Sequence, residues 1–441
     1  MKHLGQLLIM TNEEPQLSPS LLAAIQLGYA GGVLLRNGSF SSITALQDQV
    51  WRLRETAKLG GRSTPLILLE LSDALLELWP IPSLGAMAVS GLTDDVHRIF
   101  NTMALIWRQI GITGVIGPGL GVYDPLLDPW NDKRAKYAQL FVRELRQNGL
   151  DPFVHIDGNQ TTTESGDLLT AVVDSGLSGA LFTPHSLFFR PYSWREHANF
   201  QGLLVQELIA REFLPADVPA GINNGFDMVV LPTGGHADAA YHALLVAMNQ
   251  RRLSKRKIYS SVVRVRSLKG LDLPLPWNAS VTQRPMKKWA QHIWDHALVH
   301  TGVPYSGPSS RLMLVEFGRT SWLKSLLRQQ LDFYQLLNID PDIRDMFHIL
   351  SLVQQKQGQL IIHLNDATHH LNQSILFPLC QPRPIGVAMS HPSDLFLLPQ
   401  DATGLTNFDS HPGAYQSIAA AILGRLSVRG RWLSPQEVTQ S

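Results

Sequence analysis

Short apolar runs alternate with segments of helical periodicity through roughly the first 270 residues of the chain. The runs are apolar at almost every position, which is the pattern of parallel strands that are covered on both faces. Eight strands alternating with helices over this length predict a closed (β/α)8 barrel of the TIM type rather than an open doubly wound sheet. The predicted strands are Leu7–Met10, Gly32–Leu35, Leu66–Glu70, Gly114–Ile116, Pro152–Ile156, Gly179–Phe182, Gly202–Val205 and Met228–Leu231.

Two of the helices between these strands carry clear end signals. Thr93 offers an N-cap, and Asp94 and Asp95 give the first turn the acidic character that a helix N-terminus favours. Apolar residues then recur at helical spacing until Gly111. The next predicted helix ends at the Asn-Gly pair that includes Gly149. Both patterns indicate helices that cover an outer face of the barrel.

The pattern changes after the barrel region, which we place at residues 1–270. Residues 271–300, beginning with the proline-rich Leu271–Trp277, are predicted to form an extended connector. Residues 301–441 are predicted to form a smaller α/β domain. Its predicted strands are Leu312–Glu316, Leu360–Leu364, Gly386–Met389 and Leu395–Leu398, and its predicted helices are Ser321–Leu337, Asp340–Gln354 and Tyr415–Leu423.

Composition and charge narrow the classes of function. The chain is 44% hydrophobic and 17% charged, so it can bury a core and is too apolar for disorder. Its net charge of +1 provides no field that would attract nucleic acid, and we expect no nucleic-acid partner. The densest basic cluster is interpreted as a solvated helix end rather than a phosphate site; it comprises Arg251, Arg252, Lys255, Arg256 and Lys257.

Cysteine usage and hydropathy suggest a compartment. Cys380 is the only cysteine, which fits a reducing environment. The first residues lack the pattern of a signal peptide, and no apolar stretch approaches ~18 residues, so we expect a cytoplasmic protein without a membrane span. His363, His369 and His370 lack a partner cysteine or a spaced set of acids, and neither a metal nor another cofactor is predicted.

Polar residues follow most of the predicted strands. Barrel enzymes carry out their chemistry at the carboxyl ends of the strands, so these residues predict a polar pocket at the barrel mouth. Solvated loops and helix caps would account equally well for each residue singly. The glycines of Gly117–Gly121 do not have the spacing of a dinucleotide-binding loop. The strand-end residues are Arg36, Asn37, Glu70, Asp73, His155, Asp157, His185, Glu207 and His236.

Three segments carry recognisable scaffold motifs, which are Gly31–Asn37, Ile81–Met87 and Ala220–Pro232. They resemble motifs of family 3 glycoside hydrolases, particularly the bacterial β-N-acetylglucosaminidases that trim cell-wall fragments. Gly31–Asn37 and Ile81–Met87 match the family's early motifs, and Ala220–Pro232 is the most specific match. Asn407–Gly413, followed by an alanine-rich helix, is similar to the end of the family's second domain. The resemblance implies a barrel followed by a smaller α/β sandwich domain.

The functional motifs of that family are largely replaced. Glu207 stands where the resemblance places the nucleophilic Asp, and His155 remains from a Lys-His pair whose lysine is Val154 here. The resemblance makes Glu207 the candidate nucleophile, with His155, Asp157 and His185 as candidate substrate-binding residues. The loop that should supply the general acid/base is shortened and contains no histidine.

Three functional hypotheses follow. The first is a catalytically impaired relative that binds a sugar, such as a cell-wall muropeptide, or serves as a scaffold for a protein partner. The second is an active retaining glycosidase that uses Glu207 on another glycoside. The third is an interaction protein that presents the aromatic residues after His185, which are Phe188, Phe189, Tyr192 and Trp194. Packing within a shortened loop is the simpler interpretation of those aromatic side chains.

Overall fold

In the computed structural model the chain forms two compact units. The first unit takes its residues from 1–79, 97–123 and 135–283, and the second from 80–96, 124–134 and 284–441. The structure describes residues 3–36, 39–71, 79–117, 131–156, 170, 172–183, 194–195, 199–208, 213–269, 284–305, 311–317, 321–328, 331–336, 340–356, 358–381, 383–428 and 430–432.

The first unit is a closed barrel of eight parallel strands in sequence order, as predicted. β1 pairs with β2 and also with β8, and this second pairing closes the barrel. The observed bounds lie within two residues of the predicted ones. The strands are β1 (Leu8–Asn12), β2 (Gly32–Leu35), β3 (Leu66–Glu70), β4 (Gly114–Ile116), β5 (Asp151–Ile156), β6 (Gly179–Phe182), β7 (Leu203–Glu207) and β8 (Met228–Leu231).

Large and small side chains complement each other in the barrel interior. Phe153 belongs to the buried cluster there, and its ring packs against Gly179 of the neighbouring strand. A Cβ atom at Gly179 would lie 2.1 Å from a ring carbon of Phe153, so only glycine fits at this position.

Helices and turns of the first unit begin and end where the sequence signals indicate. The Ser18 and Ser42 side chains cap two helices by accepting hydrogen bonds from backbone N–H groups. Gly111 and Gly149 follow two others with φ of 98° and 73°, a region that favours glycine. The helices are α1 (Pro19–Leu27), α2 (Ile43–Leu59), α4 (Thr93–Ile110), α5 (Asn131–Gln147), α6 (Asp217–Asn223), α7 (Ala237–Asn249) and α8 (Lys255–Leu268), and both α4 and α5 begin with residues of the second unit.

Asp227, in the most specific of the scaffold motifs, anchors the last part of the barrel. Its side chain is fully buried and accepts hydrogen bonds from Ser261 Oγ and Arg264 Nη1, both at 2.8 Å, and from the backbone N–H of Leu204 at 3.1 Å. Arg195 also pairs with it, and Lys257 Nζ lies 3.6 Å away. This carboxylate therefore ties α8 to β7 and β8, which is a structural role.

The second unit is built on a seven-stranded sheet with the order β11-β10-β12-β13-β14-β9-β15. β9 runs antiparallel to β14, and the other pairings are parallel. The strands are β9 (Val299–Gly302), β10 (Leu312–Phe317), β11 (Leu331–Leu336), β12 (Gln359–Leu364), β13 (Ile385–Ala388), β14 (Thr403–Thr406) and β15 (Gly430–Arg431); the helices are α3 (Leu84–Ser90), α9 (Arg284–His296), α10 (Trp322–Leu326), α11 (Ile343–Lys356), α12 (Leu376–Leu379) and α13 (Pro412–Ile422).

Two element predictions in this unit are wrong. The predicted helix Ser321–Leu337 is instead the short α10 followed by β11, because the residues of Leu331–Leu336 pair in register with β10. The predicted strand Leu395–Leu398 falls largely in the 3-10 helix Pro392–Leu397, whose first proline already has a helical φ. In the segment predicted as a connector, residues 271–283 lie outside the described ranges, whereas Arg284–His296 forms α9.

The early segment Pro80–Val96 is an integral part of the second unit. Ser83 donates hydrogen bonds from its backbone N–H to Asp409 Oδ2 and from its hydroxyl to the Phe408 carbonyl, both at 2.6 Å. Trp294 Nε1 of α9 donates to the same Asp409 oxygen at 2.8 Å. The Ile81–Met87 motif is therefore conformationally fixed by residues more than 300 positions later. No helix within the described ranges is long and apolar enough to cross a membrane.

Candidate active site

Four polar side chains form a layer at the carboxyl ends of the barrel strands. Side chains alternate between the two faces of a strand, and Leu34, Leu68, Phe153 and Val205 all belong to the buried cluster inside the barrel. The residue two positions after each of them should therefore also point inward. These residues are Arg36, Glu70, His155 and Glu207, and the structure brings them together at the mouth.

Arg36 is the centre of this layer and bridges two carboxylates. Its Nε atom lies 2.5 Å from Glu70 Oε2, and its Nη1 atom lies 2.6 Å from Glu207 Oε1. The three side chains are only 15–19% exposed. Arg36 directly follows β2, while Glu70 and Glu207 are the last residues of β3 and β7, so one guanidinium connects well-separated parts of the barrel wall.

Electrostatics keep this guanidinium charged. Burial opposes the charge, but hydrogen bonds and coulombic attraction from Glu207 and Glu70 outweigh it and raise the pKa of Arg36 above its ordinary value. Glu13, an exposed residue, adds a weaker contact at 3.6 Å from Nη1. Arg36 is thus a permanent positive charge held between two carboxylates.

His155 extends the layer on the other side of Glu70. Its Nδ1 atom lies 3.9 Å from Glu70 Oε1, and its side chain is 30% exposed. Its Nε2 atom is buried and has no hydrogen-bond partner among the described residues. A buried polar atom of this kind is usually satisfied by water or by a ligand.

Of the other predicted strand-end residues, only His236 lies within the described ranges. Asp157 and His185 lie outside the described residues, as do Asn37 and Asp73. His236 follows β8 and contacts the ring of Phe213 edge-on at 4.5 Å, and burial lowers the pKa of its imidazole.

Of the four aromatic residues in the interaction-protein hypothesis, Trp194 lies within the described part of the chain. Its side chain is 3% exposed and packs edge-on against Phe182 and Phe200, with ring centroids 5.3 and 5.6 Å away. Trp194 is therefore a core residue. The packing interpretation holds for this side chain, and Phe188, Phe189 and Tyr192 lie outside the described part of the chain.

Two of the three histidines that were considered for a metal site, His363 and His369, have protein partners. His363 is buried, its Nε2 atom lies 3.0 Å from the Tyr415 hydroxyl, and burial lowers its pKa to about 4. His369 pairs with Asp366 at 2.6 Å. No group of histidine, cysteine, aspartate and glutamate residues in the described ranges has an arrangement that could hold a metal ion.

Two of the four residues in the mouth layer, Arg36 and Glu70, were predicted from the sequence only to lie at strand ends. Arg36 and Glu70 were missed as site residues because the resemblance assigns neither of them a catalytic or binding role. The signal that identifies them is the alternation of inward positions along β2 and β3. Chemically, the layer offers a cation and two carboxylates that already neutralise one another in part, with one imidazole beside them.

No protein-family model matches this sequence, and no curated protein matches it in sequence. Solved structures nevertheless share its fold across both units. A family 3 β-N-acetylglucosaminidase from Paenibacillus sp. str. FPU-7 superposes with a TM-score of 0.80 at 16% identity, covering 97% of each chain. The β-glucoside phosphorylase BglX gives a TM-score of 0.70 at 14% identity, covering 98% of this chain and 92% of that one. A β-glucosidase from Listeria innocua gives a TM-score of 0.67 at 15% identity, covering 96% of this chain and 72% of that one. The architecture is that of family 3 glycoside hydrolases.

Proposed function

We propose that this protein is a carbohydrate-binding relative of the family 3 glycoside hydrolases in which hydrolysis is impaired. The observation that carries the proposal is the contact between Arg36 and Glu207. The candidate nucleophile is already bound by a guanidinium that Glu70 holds in place from its other side.

This contact opposes nucleophilic attack. A carboxylate that forms a glycosyl bond loses its negative charge, and with it most of the strength of a charge-assisted hydrogen bond worth about 1.5–3 kcal/mol. A loss of that size slows the reaction by roughly 10- to 100-fold. The extra methylene of a glutamate adds a displacement near ~1 Å, which can cost ~100-fold, and a missing general acid costs ~100- to 10,000-fold.

The same mouth retains groups that suit sugar binding. The Nε2 atom of His155, which has no partner among the described residues, can exchange a hydrogen bond with a ligand hydroxyl, and the lone pairs of Glu70 can accept one. We assign Asp157 and His185 to the same binding role on the basis of their predicted positions after β5 and β6. Because the fold is shared with a β-N-acetylglucosaminidase, an N-acetylglucosamine-containing fragment, such as a muropeptide, is the ligand class that we favour.

Hydrolysis by the full chain tests the first half of the proposal. We expect the wild-type protein to release no more nitrophenol from 4-nitrophenyl N-acetyl-β-glucosaminide than a Glu207→Gln variant does. Substantial release that Glu207→Gln abolishes, together with a fluorinated glycoside trapped covalently on Glu207, would instead establish an active retaining glycosidase.

Ligand binding tests the second half. We expect N-acetylglucosamine disaccharides to raise the melting temperature of the wild-type protein and to do so much less for His155→Ala. His242→Ala is the matched control, because His242 is an exposed histidine on α7. Equal stabilisation of both variants would contradict a binding role for His155. The single, buried Cys380 supports a cytoplasmic location for such a binding protein, which cell fractionation would test.

A further inference from the structure

An open cavity of about 630 Å³ lies in the first unit, away from the barrel mouth. It is lined by His3 and Leu4, which precede β1, by the end of α7 and by one face of α8. Residues that precede a strand lie at its amino end, so this cavity is at the opposite end of the barrel from Arg36 and Glu207. Its volume is within the range of about 300–1,000 Å³ that is typical of small-molecule sites.

Every charged side chain that lines the cavity is basic. These are Arg251, Lys255 and Arg266, and none of the three forms an ion pair within the described ranges. Arg266 instead donates a hydrogen bond from Nη2 to His3 Nδ1 at 3.0 Å, which requires a neutral imidazole. The cavity therefore has a positive potential, and its described lining contains no carboxylate to neutralise it.

The basic cluster that the sequence shows after α7 is thus divided by the fold. Lys257 faces inward, donates to the carbonyl oxygen of Gly225 at 2.8 Å and lies 3.6 Å from Asp227. Arg251 and Lys255 face the cavity. Arg251, Arg252, Lys255 and Arg256 are exposed, as expected of a solvated helix end, and only Lys257 departs from that interpretation.

The remaining lining is mostly apolar. Ile258 and Val262 are buried, and they form a floor beneath two exposed side chains of the same helix. Tyr259 is 72% exposed and Val263 is 47% exposed, so α8 presents an apolar and aromatic surface directly beside the cations. Water solvates cations well but not such a surface, and a ligand that uses both must carry an apolar body and an anionic group.

We infer that this cavity is a binding site for a small amphipathic anion, with an apolar or aromatic body on the floor formed by Ile258 and Val262. Its phosphate, sulfonate or carboxylate group lies beside Arg251 and Lys255 at the amino end of α8, and Arg266 lies about three turns further along the same helix. The inference does not depend on the proposed function, because the two sites use different residues at opposite ends of the barrel strands.

The fluorescent probe 8-anilinonaphthalene-1-sulfonate is itself a small amphipathic anion and serves as the test ligand. We expect saturable binding of one probe molecule to the full chain, weakened about threefold to tenfold by Lys255→Gln. Arg256→Gln is the matched control, because Arg256 is the next residue of α8, is exposed and does not line the cavity. The same loss of affinity in both variants, or no saturable binding to the wild-type protein, would overturn the inference.

A second variant distinguishes loss of the cation from loss of the fold. Arg251 has a φ of 58°, where asparagine is tolerated, so Arg251→Asn removes the cation without forcing the turn to change. We expect this variant to keep the wild-type melting temperature and to bind the probe about threefold to tenfold more weakly. Unchanged probe affinity in Arg251→Asn and Lys255→Gln together would show that the cations play no part.

Competition separates the two parts of the ligand. We expect phenyl phosphate to displace the probe at lower concentrations than either inorganic phosphate or benzyl alcohol does. Displacement by inorganic phosphate as efficient as by phenyl phosphate would mean that the apolar floor is not used. Equally efficient displacement by benzyl alcohol would mean that the charge is not used, and either result refutes an amphipathic ligand.

Discussion

Replacing Arg36 by methionine should destabilise the barrel. The substitution keeps much of the side-chain volume but leaves Glu70 and Glu207, each only 15–16% exposed, without their cation. Two charge-assisted hydrogen bonds are lost, each worth about 1.5–3 kcal/mol. Because the side chains are partly exposed, we expect the summed loss to lie toward the lower end of that range. We expect the free energy of unfolding to fall by about 2–4 kcal/mol near pH 8.

Urea unfolding of the variant and of the wild-type protein near pH 8 measures this difference. Hydrogen exchange of β2, β3 and β7 assigns the transition to the barrel, because the chain has two compact units whose transitions need not coincide. The triple variant Arg36→Met, Glu70→Gln, Glu207→Gln removes all three charges and should recover most of the lost stability. A single Arg36→Met variant as stable as wild type at pH 8, or a triple variant no more stable than the single one, would refute the reasoning.

Two further predictions concern buried charges of the first unit. Lys269 donates to Gln6 Oε1 at 2.5 Å and to the Gly31 carbonyl at 2.6 Å, and burial, with repulsion from Arg266, lowers its pKa to about 7. The unfolded lysine keeps its proton up to a pKa near 10.4, so the unfolded chain binds more protons than the folded one above pH 7. The free energy of unfolding should therefore rise by roughly 2 kcal/mol from about pH 7 to pH 9. Urea unfolding measures this rise, and the Lys269→Met variant should lack it. Asp227→Asn should lower the free energy of unfolding by about 3–5 kcal/mol, because Arg195, Arg264 and Lys257 lose their shared counter-charge; a melting temperature equal to that of wild type would contradict the anchoring role of Asp227.

The barrel could be predicted closely from the sequence because its strands are buried on both faces, and this produces continuous apolar runs that end at polar residues. The second unit was harder for a physical reason. Leu331–Leu336 contains a mixture of apolar and polar residues that fits both a strand and a helix, and its pairing with β10 decides between them. β14 contains two threonines and a glycine and gains its strand structure from its neighbours β13 and β9.

The site was predictable in part. The strand-end positions of Arg36, Glu70, His155 and Glu207 can be read from the sequence, and alternation along each strand places them on the inner face. Their pairing cannot be read in this way. Arg36 and Glu207 are 171 residues apart, and they meet only because the barrel closes and the guanidinium reaches across its mouth.

The placement of Pro80–Val96 in the second unit has a consequence for synthesis of the chain. This segment leaves the ribosome about 190 residues before α9, and at ~5–20 residues per second the interval is roughly 10–40 s. During that time the apolar face of α3, formed by Leu84, Ala86, Met87 and Ala88, has no partner to cover it. Ribosome-bound nascent chains that end between residues 97 and 283 should therefore expose a transient recognition site for chaperones, which disappears once α9 has been made.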